Sequence, residues 1–127
     1  LAAGRMDGRT FVWGEAPVGP DKGNFRGTDN GTNRAVYPQD DGFEDTAPVG
    51  SFPKDKSPFG LVDMGGNVSE WTASEWTLPK GGRLIKVYGG DSASSEADGA
   101  KVRFWVGVVP SQQASMTGLR CVIPREG

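Results

Sequence analysis

Apolar residues occur in short clusters along this chain, and few clusters keep a helical or a strand period for long. Segments rich in β-branched and aromatic residues, bounded by Gly or Pro, predict short strands. Four segments fit that description: residues 9–14, 83–90, 101–109 and 118–123. The clearest is "KVRFWVGVV", residues 101–109, which lies between Gly99 and Pro110. In the first segment, Trp13 is expected to point into a core.

The segments between these strands are typical of turns and ordered loop. Residues 17–42 are dense in Gly, Pro, Asn and Asp, which favour turns. A loop of that length is uncommon in a compact domain, so it is either disordered or held by something such as a bound ion. Prolines at positions 48, 53 and 58 favour extended or turn backbone. Residues 67–76, "NVSEWTASEW", predict a short helix or an irregular turn, with Trp71 and Trp76 anchoring it to the core.

Composition indicates a folded domain with a small core. The 127 residues suit one domain, and Leu, Ile, Val and Phe together number 25. That share is near the level below which disorder becomes plausible, but the net charge of only −2 argues against disorder. The 20 glycines are about twice the usual share of about 7%, which indicates many tight turns.

The absence of histidine excludes several kinds of site. The chain offers no His-based catalytic triad, no His-ligated zinc or iron and no histidine pH switch. A bound metal would therefore have oxygen ligands, which favours calcium or magnesium. The single cysteine, Cys121, cannot form an internal disulfide. No basic patch indicates nucleic acid as a partner, and no apolar run is long enough for a membrane span.

Several motifs, taken in order, resemble the formylglycine-generating enzyme (sulfatase-modifying factor) family. The longest is "DGFEDTAPVGSFPKDKSPFGLVDMGGNVSEWTASEW", residues 41–76. It is similar to the family pattern of an acidic-Gly-Phe turn followed by T-x-P-V-x-x-F-P-x-N-x-[FY]-G-L-x-D-M-x-G-N-V-x-E-W. "FVWGEAPVG" near the start, "KVYGGDS" and "GLRC" resemble the family's [YF]-P-W-G, R-G-G-S and G-F-R-C.

The resemblance implies an α+β fold of the C-type-lectin-like, formylglycine-generating-enzyme type, with short antiparallel strands, few helices and much ordered loop. Residues 1–127 would be the C-terminal portion of one such domain, because the helix that precedes F-P-W-G in the family is absent. The chain also begins without Met or a signal-peptide pattern, which suggests a fragment. The missing N-terminal part of the same domain is therefore an expected partner.

The family carries calcium, and the resemblance places two calcium sites in this chain. The ligands of the first would be Asp63, Gly66, Val68 and Glu70, with carbonyl oxygens from Gly66 and Val68. The ligands of the second would be Asn24, Phe25, Asp41 and Phe43, which would hold the long loop. From the residues alone, Asp63 and Glu70 could equally cap turns or pair with arginines. The Asn-Val-Ser acceptor pattern at Asn67 is interpreted as a chance match that faces inward.

The positions that correspond to the catalytic residues of the family hold other residue types in this chain. Its oxygen-dependent enzymes use a C-x4-C cysteine pair that binds copper, and these positions fall on Ser94 and Gly99. Cys121 corresponds to a structural cysteine that is buried at the last strand and is expected to be unreactive. The ergothioneine-type branch uses histidine-ligated iron, and this chain has no histidine. The serines after Gly90 have no base at hand to activate them.

These observations favour a non-catalytic, calcium-stabilised, lectin-like scaffold that binds a protein or other ligand. Its binding surface is predicted to follow Gly90, at Asp91, Ser92, Ser94, Ser95, Arg103 and Trp105. One alternative is part of a modifying enzyme, of formylglycine-generating or ergothioneine type, whose active residues lie outside this chain. Another is a structural subunit of an envelope or secretion assembly. Calcium sites favour an extracytoplasmic setting, although the family also has cytoplasmic members.

Overall fold

A small sheet organises the second half of the chain in the computed structural model, which describes residues 7–26, 41–93 and 97–123. Strands β1 (Ser69–Thr77), β2 (Arg83–Tyr88), β3 (Trp105–Val108) and β4 (Thr117–Leu119) lie in the order β3-β2-β1-β4. A 3-10 helix, Ala97–Ala100, lies between β2 and β3. The described residues contain no α-helix, so regular structure is as sparse as the sequence predicts.

The sheet is mixed rather than wholly antiparallel. Strand β2 pairs antiparallel with both β1 and β3, whereas β4 pairs parallel with β1 through Ser69, Glu70 and Trp71. The expectation of antiparallel strands alone is therefore wrong at β4. A parallel neighbour requires a long connection, and here the chain passes through β2, the 3-10 helix and β3 before it returns as β4.

The strand predictions succeed in part. Strand β2 is confirmed, but regular structure in residues 101–109 and 118–123 is confined to the short strands β3 and β4. Residues 9–14 form no strand: Phe11 and Gly14 exchange two backbone hydrogen bonds of 3.0 Å each, which closes a tight turn. The prediction of a helix or turn at residues 67–76 is wrong, because most of that segment is β1.

Local sequence preference does not predict strand β1, because pairing with its neighbouring strands is what orders it. It contains few β-branched residues, yet it pairs along both edges, with β2 on one side and β4 on the other. Its hairpin with β2 turns where Gly81 and Gly82 have positive φ angles of 84° and 99°. Glycine adopts those angles without steric cost.

The core lies beside the sheet and is built largely from loop residues. Buried Phe11, Phe25 and Ala100 form a cluster against which Trp13 packs, as the sequence predicts. The Trp13 ring stacks on Phe11 at 5.2 Å between centroids and meets Phe25 edge-on at 6.3 Å. Trp76 does not anchor the core: it is 44% exposed and contacts Trp105 edge-on at 5.2 Å.

Candidate functional site

The loop of residues 63–68 lies at the junction of the core and the sheet, and it has an unusual backbone. Asp63 and Asn67 are the two described non-glycine residues with positive φ, at 53° and 74°. Such residues are uncommon and cost free energy unless their surroundings hold them in place. Both side chains are buried, and both make hydrogen bonds to backbone groups elsewhere in the chain.

Asp55 holds the glycine pair of this loop. Its Oδ1 accepts a hydrogen bond from the Gly65 N–H at 2.9 Å, and its Oδ2 accepts one from the Gly66 N–H at 3.1 Å. Burial raises the pKa of Asp55 to about 7, the donated N–H groups oppose that rise, and the negative charge of Asp63 adds to it. The backbone of the loop is therefore held by hydrogen bonds to a buried carboxyl group.

The loop also requires glycine at position 66 for space. A β-carbon there would lie 2.7 Å from the Asn24 carbonyl oxygen and 2.9 Å from the Phe25 ring. The neighbour in closest approach is backbone, which cannot rotate out of the way. The glycine thus brings the loop into direct contact with Asn24, which is a predicted ligand of the second calcium site.

Asn67 connects this loop to three distant segments. Its Oδ1 accepts from the Ala47 N–H at 2.8 Å, and its Nδ2 donates to the Ala47 carbonyl at 3.0 Å. Its backbone N–H donates to the Asn24 carbonyl at 2.8 Å, and its carbonyl accepts from the Ser92 N–H at 2.9 Å. The side chain is engaged and the residue is 8% exposed, which agrees with the inward-facing interpretation of the Asn-Val-Ser pattern.

The residues predicted for the first calcium site are close to one another. The Val68 N–H donates to the Gly66 carbonyl at 3.0 Å, and the Gly50 N–H donates to Asp63 Oδ2 at 2.7 Å. Burial raises the pKa of Glu70 and the charge of Asp63 raises it further, so the two carboxylates repel each other. Carboxylates and backbone carbonyl oxygens are the donors that calcium takes.

Arg120 supplies a positive charge to the same place. Its Nε donates to Glu70 Oε1 at 2.9 Å, and its Nη2 donates to the Asp63 carbonyl. This ion pair lowers the pKa of Glu70, although burial outweighs it. The pairing of Glu70 with an arginine is the alternative that the sequence left open. The oxygen donors still fit calcium, provided that the ion displaces the guanidinium or binds beside it.

The second predicted calcium site contains a buried oxygen atom that has no donor. Asn24 is 1% exposed, and its Nδ2 donates to the Asp45 carbonyl at 2.8 Å and to Asn67 Oδ1 at 3.0 Å. Among the described residues nothing donates to Asn24 Oδ1. An unpaired buried acceptor is costly, and a bound cation or water would satisfy it. The donor chemistry of this site therefore also fits calcium.

The other predicted ligands of the second site lie on adjoining segments. Phe25 is buried in the core cluster, and Asp41 forms a turn in which its Oδ1 accepts from the Phe43 N–H at 3.0 Å. The Phe43 ring packs edge-on against Phe52 at 5.8 Å. Residues 27–40, most of the predicted long loop, lie outside the described residues. Within the described part of the chain no three acidic or cysteine side chains form a metal cluster, so both sites would need carbonyl or amide oxygens in addition to carboxylates.

The surface predicted after Gly90 is dispersed in the structure. Ser92 is buried, and its Oγ donates to the Met116 sulfur at 3.2 Å, whereas Asp91 and Trp105 are half-buried. Arg103 is exposed and lines an open depression with Arg9 and Lys101. Ser94 and Ser95 lie outside the described residues. The structure thus separates Ser92 from the exposed members of that group.

Cys121 is exposed and follows the end of β4, so the expectation of a buried thiol is wrong. Neighbouring apolar residues are exposed with it: Leu119 is 70%, Val122 87% and Ile123 93% exposed. The short pairing of β4 ends at Leu119 and leaves the following residues without a neighbouring strand among those described. This segment is the most exposed apolar part of the described chain.

The sequence did not indicate Asp55 and Arg120 as residues of the site, nor Asn67 as a residue that connects distant segments. Their partners are 10 to 57 residues away along the chain, so no local pattern indicates them. One signal was present: Asp55 stands where the pattern F-P-x-N has asparagine. On the sheet, the Lys86 Nζ lies 4.4 Å from the centre of the Trp105 ring, a contact that only the β2–β3 register creates.

Comparisons with known proteins agree with the order of the motifs. The family model of the sulfatase-modifying factor enzyme 1-like domain matches residues 1–125. The inactive C-alpha-formylglycine-generating enzyme 2 of Mus musculus is 33% identical over 131 residues, which cover 94% of this chain and 38% of that protein. The formylglycine-generating enzyme of Mus musculus is 35% identical over 75 residues, which cover 59% of this chain and 19% of that protein.

A solved structure is similar in fold. The crystal structure of CarF matches 76% of this chain and 35% of its own, with a TM-score of 0.51 and 26% sequence identity. The chain therefore spans less than half the length of each protein that it resembles here. No helix in residues 7–26, 41–93 or 97–123 is both long and apolar enough to cross a membrane.

Proposed function

The chain belongs to the family of sulfatase-modifying factor enzyme 1-like domains, and on that premise we propose that it is a non-catalytic scaffold, stabilised by calcium, that binds a protein or other ligand. The overall domain would have the C-type-lectin-like fold. The sparse regular structure, the small mixed sheet and the core of loop residues support that fold class.

The observation that carries the non-catalytic assignment is the residue pair at the positions of the catalytic cysteines. These positions hold Ser94 and Gly99, and Gly99 is buried in the 3-10 helix. The single thiol of the chain, Cys121, lies after β4 and has no second cysteine to act with. The similarity along 94% of the chain to a mouse relative that is named inactive supports the same assignment.

Calcium is the proposed cofactor at both predicted sites. Asp63, Gly66, Val68 and Glu70 would hold one ion, and Asn24, Phe25, Asp41 and Phe43 would hold the other. Asn24 Oδ1, which has no donor among the described residues, supports the second site, and Arg120, which contacts both the Glu70 carboxylate and the Asp63 carbonyl, shows the oxygen donors of the first to be close together. The ions would act as structural ligands that fix loop backbone. A calcium requirement favours an extracytoplasmic location.

The proposed partners are an unidentified ligand and the N-terminal part of the same domain. The exposed apolar segment of Leu119, Val122 and Ile123 supports a protein contact, because apolar patches on a stable chain are commonly covered. The chain spans 38% of its mouse relative, so sequence equivalent to the remainder could supply the covering surface. The ligand surface would use the exposed Arg103 and the half-buried Trp105.

A conversion assay tests the non-catalytic assignment. The full chain is incubated aerobically with copper, reductant and a cysteine-bearing peptide, and mass spectrometry measures conversion of cysteine to formylglycine. Mouse formylglycine-generating enzyme is the positive control. We expect no conversion above the protein-free background and no oxygen uptake. Conversion above the protein-free background would contradict the non-catalytic assignment, and its loss in Cys121→Ser would assign it to that thiol.

A second candidate is a subunit of a modifying enzyme whose active residues lie elsewhere. The 35% identity over 75 residues to the mouse formylglycine-generating enzyme favours it. On this alternative, the chain would be inert alone but would raise the rate or the peptide affinity of an active partner. Adding the chain to the positive control enzyme distinguishes the two, because a scaffold of the proposed kind leaves that rate unchanged.

A further inference from the structure

We propose that Asn67 is a positioning residue that couples the two calcium sites, so that an ion bound at one site strengthens binding at the other. This inference rests on the calcium sites of the proposed function and adds an energetic link between them. It depends on contacts within the described chain that join Asn24, a ligand of one site, to the loop that carries ligands of the other.

Two hydrogen bonds join Asn24 and Asn67 in a closed ring. The Asn67 N–H donates to the Asn24 carbonyl at 2.8 Å, and Asn24 Nδ2 donates to Asn67 Oδ1 at 3.0 Å. The two residues are 43 positions apart in sequence and both are buried. The bonds run in opposite directions, so neither residue can move without breaking a contact made by the other.

The Asn24 side chain connects this ring to the second site. Its other amide hydrogen donates to the Asp45 carbonyl at 2.8 Å, so both hydrogens of Nδ2 are engaged and the amide plane is fixed. Oδ1 of the same amide is the acceptor for which residues 7–26, 41–93 and 97–123 provide no donor. A cation on Oδ1 polarises the amide and strengthens the hydrogen bond that Nδ2 donates to Asn67.

The backbone of Asn67 connects the ring to the first site. Asn67 stands between Gly66 and Val68, whose carbonyls are predicted ligands, and its φ of 74° is costly for a residue other than glycine. A cation bound to those carbonyls fixes the angles on either side of Asn67. The Asn67 N–H and Oδ1 are then already in place for Asn24.

Binding at the two sites is coupled because the Asn24–Asn67 ring must be ordered for either ion to bind, and the free-energy cost of that ordering is met only once. Without ions, the ring must be held against the strain at Asn67 by hydrogen bonds alone. The first ion fixes the ring from one side, and the second ion then binds to groups that are already ordered. Such linkage is reciprocal, and coupling between sites typically amounts to roughly 5-fold or more in affinity.

Calorimetric calcium titrations of the full chain measure the coupling. Wild type gives the overall constant for two ions, Asp41→Asn isolates the first site, and Glu70→Gln isolates the second. We expect the wild-type overall constant to exceed the product of the two single-site constants by about 5-fold or more. An overall constant within about twofold of that product would overturn the coupling while leaving both calcium sites in place.

Repeating the titrations with Asn67→Gly added to wild type, Asp41→Asn and Glu70→Gln tests whether Asn67 mediates the coupling. Glycine accepts a φ of 74° but lacks the side chain, so both ions should still bind while the coupling factor falls towards one. Unchanged coupling in this background would refute the role of Asn67. If Asn67→Gly does not fold, wild type, Asp41→Asn and Glu70→Gln still decide whether the sites are coupled.

Ser57→Ala is the matched control. Ser57 is also buried, and its Oγ accepts from the Phe59 and Leu61 N–H groups, but it takes no part in the ring. This variant should lose stability and keep the coupling factor. A chain that shows no binding heat and no shift in melting temperature with calcium would contradict the calcium proposal itself, and the coupling with it.

Discussion

The loop of residues 63–68 and the four-stranded sheet keep their backbones in place by different means. The three pairings of the sheet are β-ladders between neighbouring strands, and the side chains above them remain partly exposed, as Trp76 and Val106 do at 44%. The loop makes its hydrogen bonds to side chains and to distant backbone, chiefly through Asp55 and Asn67. Its polar groups are buried, and two of its residues have positive φ.

This difference determines where the molecule tolerates change. In the sheet, a displaced side chain has solvent or a rotatable neighbour beside it. In the loop, the neighbours are backbone atoms and buried carboxyl groups, so a change of one atom alters a hydrogen bond or a charge. The following experiments compare the two regions, beginning with the largest expected effect.

Gly66→Ala should be the most damaging of these substitutions. The added methyl group would lie 2.7 Å from the Asn24 carbonyl oxygen, which cannot move without breaking its bond to the Asn67 N–H. We expect a loss of about 3 kcal/mol or more in the free energy of unfolding, measured by denaturant titration. Gly19→Ala is the control, since its nearest non-adjacent atom would be at an ordinary 3.5 Å and the change should be small.

Asp55→Asn should alter the pH dependence of stability. Burial raises the pKa of Asp55 from its ordinary value of 3.8 to about 7, so between those values the folded chain keeps a proton that the unfolded chain has released. The free energy of unfolding therefore falls as the pH rises from about 4 to about 7 and levels off above that. Asp63 is the titratable neighbour that contributes to the shift.

In chelator, the fall between pH 5 and pH 7.5 should be smaller in Asp55→Asn than in wild type by a few kcal/mol at most. Asp21→Asn is the control, because that carboxyl is exposed and its pKa is lowered by the hydrogen bond from Lys54. Equal slopes in wild type and Asp55→Asn would show that the buried carboxyl keeps its charge at neutral pH.

Arg120→Met tests whether an arginine and an ion share the same carboxylate. Removal of the guanidinium leaves Glu70, whose side chain is 12% exposed, without its partner, and we expect a loss of roughly 1–2 kcal/mol in chelator. The increase in melting temperature on adding calcium should be larger than in wild type, because the ion no longer competes with Arg120. A smaller increase would mean that Arg120 supports the ion site.

Gly107→Ala is the counterpart of Gly66→Ala in the sheet. The added methyl group would lie 2.8 Å from Leu84 Cδ1, the end of a flexible side chain, 3.3 Å from Leu84 Cβ and 3.5 Å from the Trp76 ring. Because Leu84 can change rotamer, we expect a loss of about 1 kcal/mol, at the low end for overpacking. A loss equal to that of Gly66→Ala would remove the contrast between the two regions.

The sequence predicts most of what depends on local preference. Strand β2 is predicted because "RLIKVY" combines β-branched residues with a Gly pair at its end. The low helix content follows from the density of Gly and Pro. The motif order identifies the family, and the composition excludes histidine chemistry, because neither depends on tertiary contacts.

What depends on distant partners is not predictable in this way. Strand β1 forms because β2 and β4 pair with its two edges, and β4 is 48 residues away at Ser69 and Thr117. Phe11 and Gly14 form a turn although "RTFVWG" has strand composition. Asn67 is part of a weak glycosylation pattern in the sequence and a connector of three segments in the fold.

The effect of calcium on thermal unfolding of the full wild-type chain tests the central claim most directly. Melting temperatures are compared in chelator, in millimolar magnesium and in millimolar calcium at constant ionic strength. An ion that binds only the folded chain raises its stability with concentration, so we expect a calcium-specific increase of several degrees. Superimposable curves in calcium and chelator would contradict the claim that cations hold the loop region in place.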